Sequence, residues 1–485
     1  MIPSASLFLE MALTLGLIVL ALMSLHLAVL GAARLVLAPR PLPVQSLADQ
    51  DLPEVLIQIP LYNEGDLIHP ILDAVSALDW PADRLRIQVL DDSTDESIEA
   101  SRAAVAMLRS RGVLVDLHHR SRRAGFKAGA LAEGLARANA PFVAIFDADF
   151  LPPGDFLRRT LGVLLADPGL AYVQARWLHL NRERSMLTRA QGRLLDGHFL
   201  VEQEARLRLG LPVPFNGTCG VWRTQAIVDA GGWHGDTLTE DLDLSLRAHL
   251  KGWRSGYLVD LGVPGVLPES PRAWRTQQFR WTKGFVECLV KLAPAFWRSQ
   301  RLMAWQKLLI TLQMAQPLAF LVGSFSILAG LPFIAGTLVP GLALSGAAFV
   351  TGSIGLLGPM SLLVIGARGA PPYRILRESV IALLLTSGLI LSNARAALEA
   401  LLRIRSAFIR TPKRAEYRRA GRLPRLRHRG LIEVSAGGGL LTFVLLQHPV
   451  AVFPMLLVIG GLLAFGLMQL DEQSGAAIEA VPRIE

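Results

Sequence analysis

Residues 141–151 read PFVAIFDADFL, and this stretch decides the fold. A short apolar run, Phe142 to Phe146, stops at Asp147 and Asp149, which one alanine separates. In an extended chain residues i and i+2 point to one side, which predicts two carboxylates about 6–7 Å apart facing the same way. Paired charge at the end of a buried strand is costly unless a cation lies between the carboxylates. A hard divalent ion, Mg2+ or Mn2+, keeps few protein ligands and completes its shell with phosphate or water oxygens. The pair therefore predicts a metal–diphosphate substrate, with a solvated turn after a strand as the alternative.

The neighbouring sequence repeats the strand character. EVLIQIPLY (54–62), LRIQVLDD (85–92) and VLVDLHH (113–119) are β-rich, with helical spacing over Asp66–Leu78, stopped by Pro81, and over Phe126–Ala138. Such β-α units predict an α/β domain, a mostly parallel sheet with helices on both faces. Ligands of such sheets bind off the carboxyl ends of the strands. Three of the four runs end there in polar groups: Tyr62-Asn63-Glu64, Asp91-Asp92 and Asp147-Ala148-Asp149.

Further constellations suit the same chemistry. HHRSRRAGFKAGAL (118–131) sets Arg120, Arg122, Arg123 and Lys127 at a helix start, with Gly125 and Gly129 allowing close backbone approach, and so predicts an anion site. TEDLD (239–243) packs Glu240, Asp241 and Asp243 into a helix start with Thr239 as its cap. The cluster either caps the helix or supplies a general base. TQQFRWTKG (276–284) offers Gln277, Gln278, Arg280 and Trp281: amide donors, a cation and an aromatic face for a diphosphate and a stacked sugar. Paired carboxylates of a glycosidase are the rival enzymatic reading, but hydrolysis of that kind needs no phosphate site or metal.

Composition adds a membrane. The chain has 485 residues, 52% hydrophobic, with a mean hydropathy of +0.40, too apolar for an ordinary soluble enzyme. Leu7–Leu37 is long enough to cross a bilayer and too long for a cleaved signal peptide. Arg34 and Arg40 after it place the next segment in the cytoplasm. Leu308–Ile334, Leu338–Ile365, Leu431–Gln447 and Pro449–Met468 read as four more spans, whereas Arg374–Arg410 reads as a helix lying in the interface. The expected organisation is an anchor (1–40), a cytoplasmic catalytic domain (41–300), two spans (301–370), an interfacial helix and basic loop (371–430), two spans (431–470) and a cytoplasmic tail (471–485). That makes five spans, with the N-terminus outside. The net charge of +9 suggests membrane lipids rather than nucleic acid, because much of the excess follows Ile404 beside the spans. Cys219 and Cys288 are expected to be free thiols.

The ordered series Asp91-Asp92, Asp147-x-Asp149, Thr239-Glu240-Asp241 and Gln277-Gln278-x-Arg280-Trp281 resembles the D, DxD, TED, QxxRW signature of processive family-2 glycosyltransferases. Between these marks LDWPADRLRIQVLDDSTDES, HRSRRAGFKAGAL, FNGTCGVWR and RTPK resemble the cellulose synthase-like A group of mannan synthases and its bacterial relatives. The resemblance covers about Leu52 to Lys413. It implies a GT-A catalytic domain in a bacterial inner (plasma) membrane, using Mg2+ or Mn2+. It also implies that Tyr62, Glu64, Asp91, Asp92, Lys127, Asp147, Gln277, Gln278 and Arg280 bind the nucleotide-sugar donor, and that Asp147 and Asp149 hold the metal. Asp241 would be the base with Glu240 beside it. Phe215, Asn216, Gly217, Thr218 and Trp281 would meet the acceptor. Phe408, Arg410, Thr411 and Lys413 resemble a gating loop, although arginine stands where the family has valine. The expected product is a β-glycan made from UDP-glucose or GDP-mannose, with accessory export proteins as further partners. A glycolipid synthase using a lipid acceptor is the second reading, and an inactive membrane scaffold the third.

Overall fold

The computed structural model describes residues 5–367, 369–406, 429–447 and 452–478. Phe408, Arg410, Thr411 and Lys413, and the basic loop around them, lie outside the described residues. The chain opens with α1 (Ala5–Val36) and then enters a seven-stranded sheet of order β3-β2-β1-β4-β6-β5-β7. Its strands are β1 (Val55–Leu61), β2 (Leu85–Asp91), β3 (Val115–His119), β4 (Phe142–Ile145), β5 (Leu170–His179), β6 (Gly220–Arg223) and β7 (Arg254–Gly265). β1 pairs parallel with β2 and β4, β2 with β3, and β5 with β7. β6 is antiparallel to both β4 and β5, so it alone runs against the rest of the sheet.

Helices α2 (Ile68–Ser76), α3 (Ser97–Ser110), α4 (Phe126–Ala136), α5 (Phe156–Ala166), α6 (Met186–Gly197), α7 (Glu204–Leu209), α8 (Thr224–Asp229) and α9 (Glu240–Leu250) are interleaved with the strands. One core joins the sheet to α2, α3 and α5, and a second joins the opposite face to α4, α8 and α9. β1 is buried along almost its whole length, as expected of a strand covered on both faces. Two buried glutamines interrupt that apolar surface. Gln58 Nε2 donates to Gln88 Oε1 (3.1 Å) and Leu131 O (3.2 Å), and Gln88 Nε2 donates to Gly134 O (3.0 Å). This amide ladder fixes α4 across β1 and β2, because an amide left unpaired there costs about 1–3 kcal/mol.

The long helix α10 (Pro271–Arg298) leaves the domain, capped by Ser270 Oγ, which accepts from Ala273 N at 3.1 Å. Then come α11 (Ala304–Ala315), α12 (Leu318–Ile334), α13 (Leu342–Ile354), α14 (Leu357–Ile365), α15 (Pro372–Ser387) and α16 (Ile390–Leu401), followed by helices over Arg429–Gln447 and Val452–Ile478. Among the described residues, four stretches are long and apolar enough to cross a membrane: Ser6–Val36, Leu342–Ile365, Gly430–Gln447 and Met455–Glu472. Two bent pairs would raise that number to six.

The first pair, α11 with α12, bends by 67° where a single straight span is expected from Leu308 to Ile334. Pro317 lies at the break, and proline cannot continue the hydrogen-bond ladder. The second pair, α15 with α16, bends by 53° and coincides with the expected interfacial helix. One face of its first half is packed inside the protein, while Tyr373, Leu376 and Val380 stay exposed. Ala382, Leu385 and Leu389 pack with Leu187, Trp274 and Phe465, between α6, α10 and the last helix.

Candidate active site

One cavity of about 480 Å3 opens at the carboxyl ends of β1, β2, β4, β5 and β7, where a parallel sheet leaves backbone ends uncovered. Tyr62, Glu64, Asp92, Lys127, Asp147, Asp149, Phe215, Asn216, Gly217, Glu240, Asp241, Gln277, Gln278, Arg280 and Trp281 all line it. Residues more than 200 positions apart thus meet in one place. Of the described residues expected to bind donor or acceptor, two do not face it. Asp91, the last residue of β2, is buried and turns its Oδ1 to Ser93 N (2.7 Å), so it shapes the loop that carries Asp92. Thr218 is also buried, and its Oγ1 accepts from Asp147 N at 2.9 Å, so it positions the aspartate.

The Asp147–Asp149 pair differs from the extended geometry. β4 ends at Ile145, and Phe150 N bonds Asp147 O (3.1 Å), so the motif is a turn. A cation already meets one carboxylate: Lys127 Nζ lies 2.6 Å from Asp147 Oδ1 and 2.9 Å from Gly217 O. Burial alone would lower the Lys127 ammonium, but Asp147, Glu240 and Asp241 around it hold it above the usual lysine range. Two hard carboxylates on the cavity wall remain a donor set that suits Mg2+ or Mn2+. His234, Asp236 and Asp243 also lie close enough together to hold an ion. There Lys291 Nζ sits 2.8 Å from an oxygen of each aspartate, so that cluster is an ion pair behind the cavity wall.

The four cations of the HHRSRRAGFKAGAL stretch divide among different tasks. Arg120 forks onto Asp92 (2.7 and 2.6 Å) and reaches Glu133 (2.9 Å), so its charge orients Asp92. The Arg123 guanidinium stacks on the Tyr62 ring at 3.4 Å and shares the cavity wall with it. Arg122 is exposed, outside the cavity. Only Lys127 enters the centre. At the start of α4 the backbone turns left-handed at Gly125 (φ +68°), and a Cβ on Gly129 would fall 1.9 Å from Ala124 O.

The acidic helix start also splits. Glu240 and Asp241 line the cavity, whereas the buried Asp243 pairs with Arg247 (2.7 Å) and Lys291. Burial, and next the neighbouring Glu240 carboxylate, push Asp241 up to about 7. A carboxyl held near neutrality is suited to take a proton at physiological pH. Gly217, with φ +80°, lets the backbone pass this group, since a Cβ there would lie 3.0 Å from Asp241 Oδ2. Thr239 does not cap the helix. It turns to α10 instead, where its Oγ1 lies 3.6 Å from Cys288 Sγ and Gly284 leaves room for it. Cys288 and Cys219 are both free and buried.

Among the residues of the cavity wall that escaped the sequence reading are Trp177 and His179 at the end of β5, Gln191 in α6 and His198 just beyond it. The alternation of β5 was the available signal, since positions 177 and 179 share one face of a strand.

A sheet of this order with one reversed strand, and a carboxylate turn at its open edge, is the GT-A fold of nucleotide-sugar glycosyltransferases. The glycosyltransferase-like family 2 model matches residues 53–284, and the chain carries a domain of that family over them. Over 270 residues it is 43% identical to glucomannan 4-beta-mannosyltransferase 2 of Arabidopsis thaliana, covering 55% of this chain and 51% of that protein. Over 260 residues it is 44% identical to glucomannan 4-beta-mannosyltransferase 1 of Oryza sativa subsp. japonica, covering 53% and 50%. The chain thus spans about half the length of these relatives. The mannosyltransferase PcManGT from Pyrobaculum calidifontis, solved with GDP-Man and Mn2+, shares the fold with a TM-score of 0.56 at 21% identity, covering 82% of this chain and all of that one. The resemblance to the cellulose synthase-like A group agrees with these matches.

Proposed function

We propose that this protein is an inverting hexosyltransferase that transfers mannose from GDP-mannose to a growing β-glycan at a membrane. One observation carries the reading: the Lys127–Asp147 pair, Asp241 and the Gln277–Trp281 face of α10 converge on a single cavity. The mannosyltransferase names of the relatives favour mannose over glucose as the transferred sugar.

In this reading Tyr62, Glu64 and Asp92 hold the nucleoside, with Asp92 oriented by Arg120. Asp241 takes the proton of the acceptor hydroxyl as that oxygen attacks the anomeric carbon from the side opposite the diphosphate. Attack from that side inverts an α-linked donor to a β-linked product. Lys127 and Arg280 offset charge on the leaving diphosphate, and Trp281 stacks against the acceptor's terminal sugar. Asp147 and Asp149 would hold Mg2+ or Mn2+, which when bound supplies further positive charge at the diphosphate. The apolar helices anchor the enzyme and export its product, with the catalytic domain on the cytoplasmic side. The relatives named above are plant proteins and lend no support to a bacterial inner membrane.

Purified protein incubated with labelled GDP-mannose and UDP-glucose, with the products sized, tests the proposal. The expected product is a mannose-containing polymer ladder. Transfer from neither donor would refute the enzymatic reading. One or two hexoses on lipid, without a ladder, would replace the glycan by a glycolipid.

A further inference from the structure

The cavity has two ends. Tyr62, Asp92, Arg123 and Lys127 line the one over β1, β2 and α4, whereas Trp177, His179 and His198 belong to the other, beside the apolar helices. Thr386 of α15 reaches the same cavity. His198 opens a six-residue π-helical segment, His198–Gln203, between α6 and α7. Wide turns of this kind recur at functional sites because they re-aim the side chains around them.

This segment holds one imidazole in a fixed orientation. Glu202, one turn after His198, accepts from His198 Nδ1 through Oε2 at 3.0 Å. Its other oxygen is held by Arg206 Nε and Nη2 at 3.3 and 3.1 Å, and the Arg206 side chain is wholly buried. A carboxylate facing Nδ1 requires the proton there, which leaves Nε2 as the ring atom able to accept from a ligand. Trp177 Nε1, His179 Nε2 and Asn216 Nδ2 belong to residues of the same cavity and are buried without a partner among the described residues. Buried polar groups of this kind are ordinarily satisfied, and a ligand rich in hydroxyls would satisfy them where an acyl chain would not. Carboxylate charge at this end is already met, since Glu269 pairs with Arg184 at 3.1 Å.

We infer that His198, oriented by Glu202, hydrogen-bonds a hydroxyl of a neutral saccharide acceptor and helps to select it. The inference rests on the glycan-transfer reading. Its test is binding of β-1,4-mannohexaose to the full-length protein by calorimetry, with GDP-mannose binding and the melting temperature measured in parallel. His198→Ala is expected to weaken mannohexaose by about tenfold, a loss of one well-placed hydrogen bond, while GDP-mannose affinity stays within roughly twofold. His198→Gln, which keeps a polar end, should recover part of the loss. If the alanine variant does not fold, the glutamine variant alone must bind mannohexaose at least about threefold more weakly with its donor affinity kept.

Unchanged mannohexaose binding in a folded variant would overturn the inference. An equal loss of donor binding would do the same, as would no binding of mannohexaose to the unmodified protein. Failure of the functional proposal looks different. The unmodified protein would then transfer no sugar, while His198-dependent saccharide binding would persist.

Discussion

Asp241 near pKa 7 makes the rate a reporter of its own protonation. With the carboxylate form as the proposed base, kcat/KM should rise with pH up to about 7 and level off above it. Glu240→Gln removes a negative charge that raises the Asp241 pKa, and the rising limb should therefore move to lower pH. A pH–rate profile of the two proteins checks the shift, and an unchanged limb would place the titration elsewhere. Asp241→Asn should lower transfer by about 10²–10⁴ with donor affinity kept, as read by single-turnover kinetics and nucleotide binding. At Arg120 the expected loss is one of stability. The pair with Asp92 is buried on both sides, so Arg120→Ala leaves that carboxylate only the longer contact to Arg123 (3.7 Å) and should cost up to about 3–5 kcal/mol in denaturant titration. Asp241, Asp149 and Arg280 were legible in sequence because each sits in a short motif whose chemistry is local. Thr218, Asp91 and Arg120 turn inward to hold other residues, which spacing alone cannot show.

The contact between α9 and α10 places Asp241, the proposed base. A Cβ on Gly284 would lie 2.5 Å from the Thr239 side chain, immediately before Glu240 and Asp241. Gly284→Ala should separate the two helices, costing about 1–3 kcal/mol and most of the activity. Thermal melts and transfer assays on one preparation check both effects, and full activity at reduced stability would uncouple the contact from the base. The turn after β4 carries a separate expectation. EDTA should abolish transfer and Mg2+ or Mn2+ should restore it, whereas full activity without divalent metal would remove the ion from the mechanism. β1 to β4 were readable as apolar runs closed by polar residues. β6 was not, because GVWR is four residues long and its place between β4 and β5 is set by pairing partners far away in sequence. The bend between α15 and α16 was equally hidden, since it depends on packing against the last helix: a Cβ on Gly388 would lie 2.4 Å from Gly461 O.

α10 belongs to both halves of the chain. One face supplies Gln277, Gln278 and Trp281 to the cavity, and another buries Val286 against Ala397 and Ala400 of α16. Cutting the chain after residue 300 would expose that apolar face. The isolated 41–300 fragment should therefore aggregate or melt well below the intact protein, which light scattering and calorimetry would reveal; a soluble fragment with unchanged melting would show that the helices contribute no support. Hydropathy revealed the apolar helices, but it could not show that α10 depends on them. Lys283, two residues beyond Trp281, has a wholly buried side chain and reaches Glu399 Oε2 (3.2 Å) and Ile404 O (2.6 Å). That clasp also sets an order of events during synthesis. Its partners are 116 residues apart, so at about 5–20 residues per second Lys283 leaves the ribosome roughly 6–23 seconds before Glu399. Until the later helices have been made and docked, the lysine is a charge without its burial partner, and α10 cannot settle against the cavity. A nascent chain stalled before α16 should therefore stay silent as an enzyme, so that sugar is drawn from the cell only by copies whose C-terminal half is already in place.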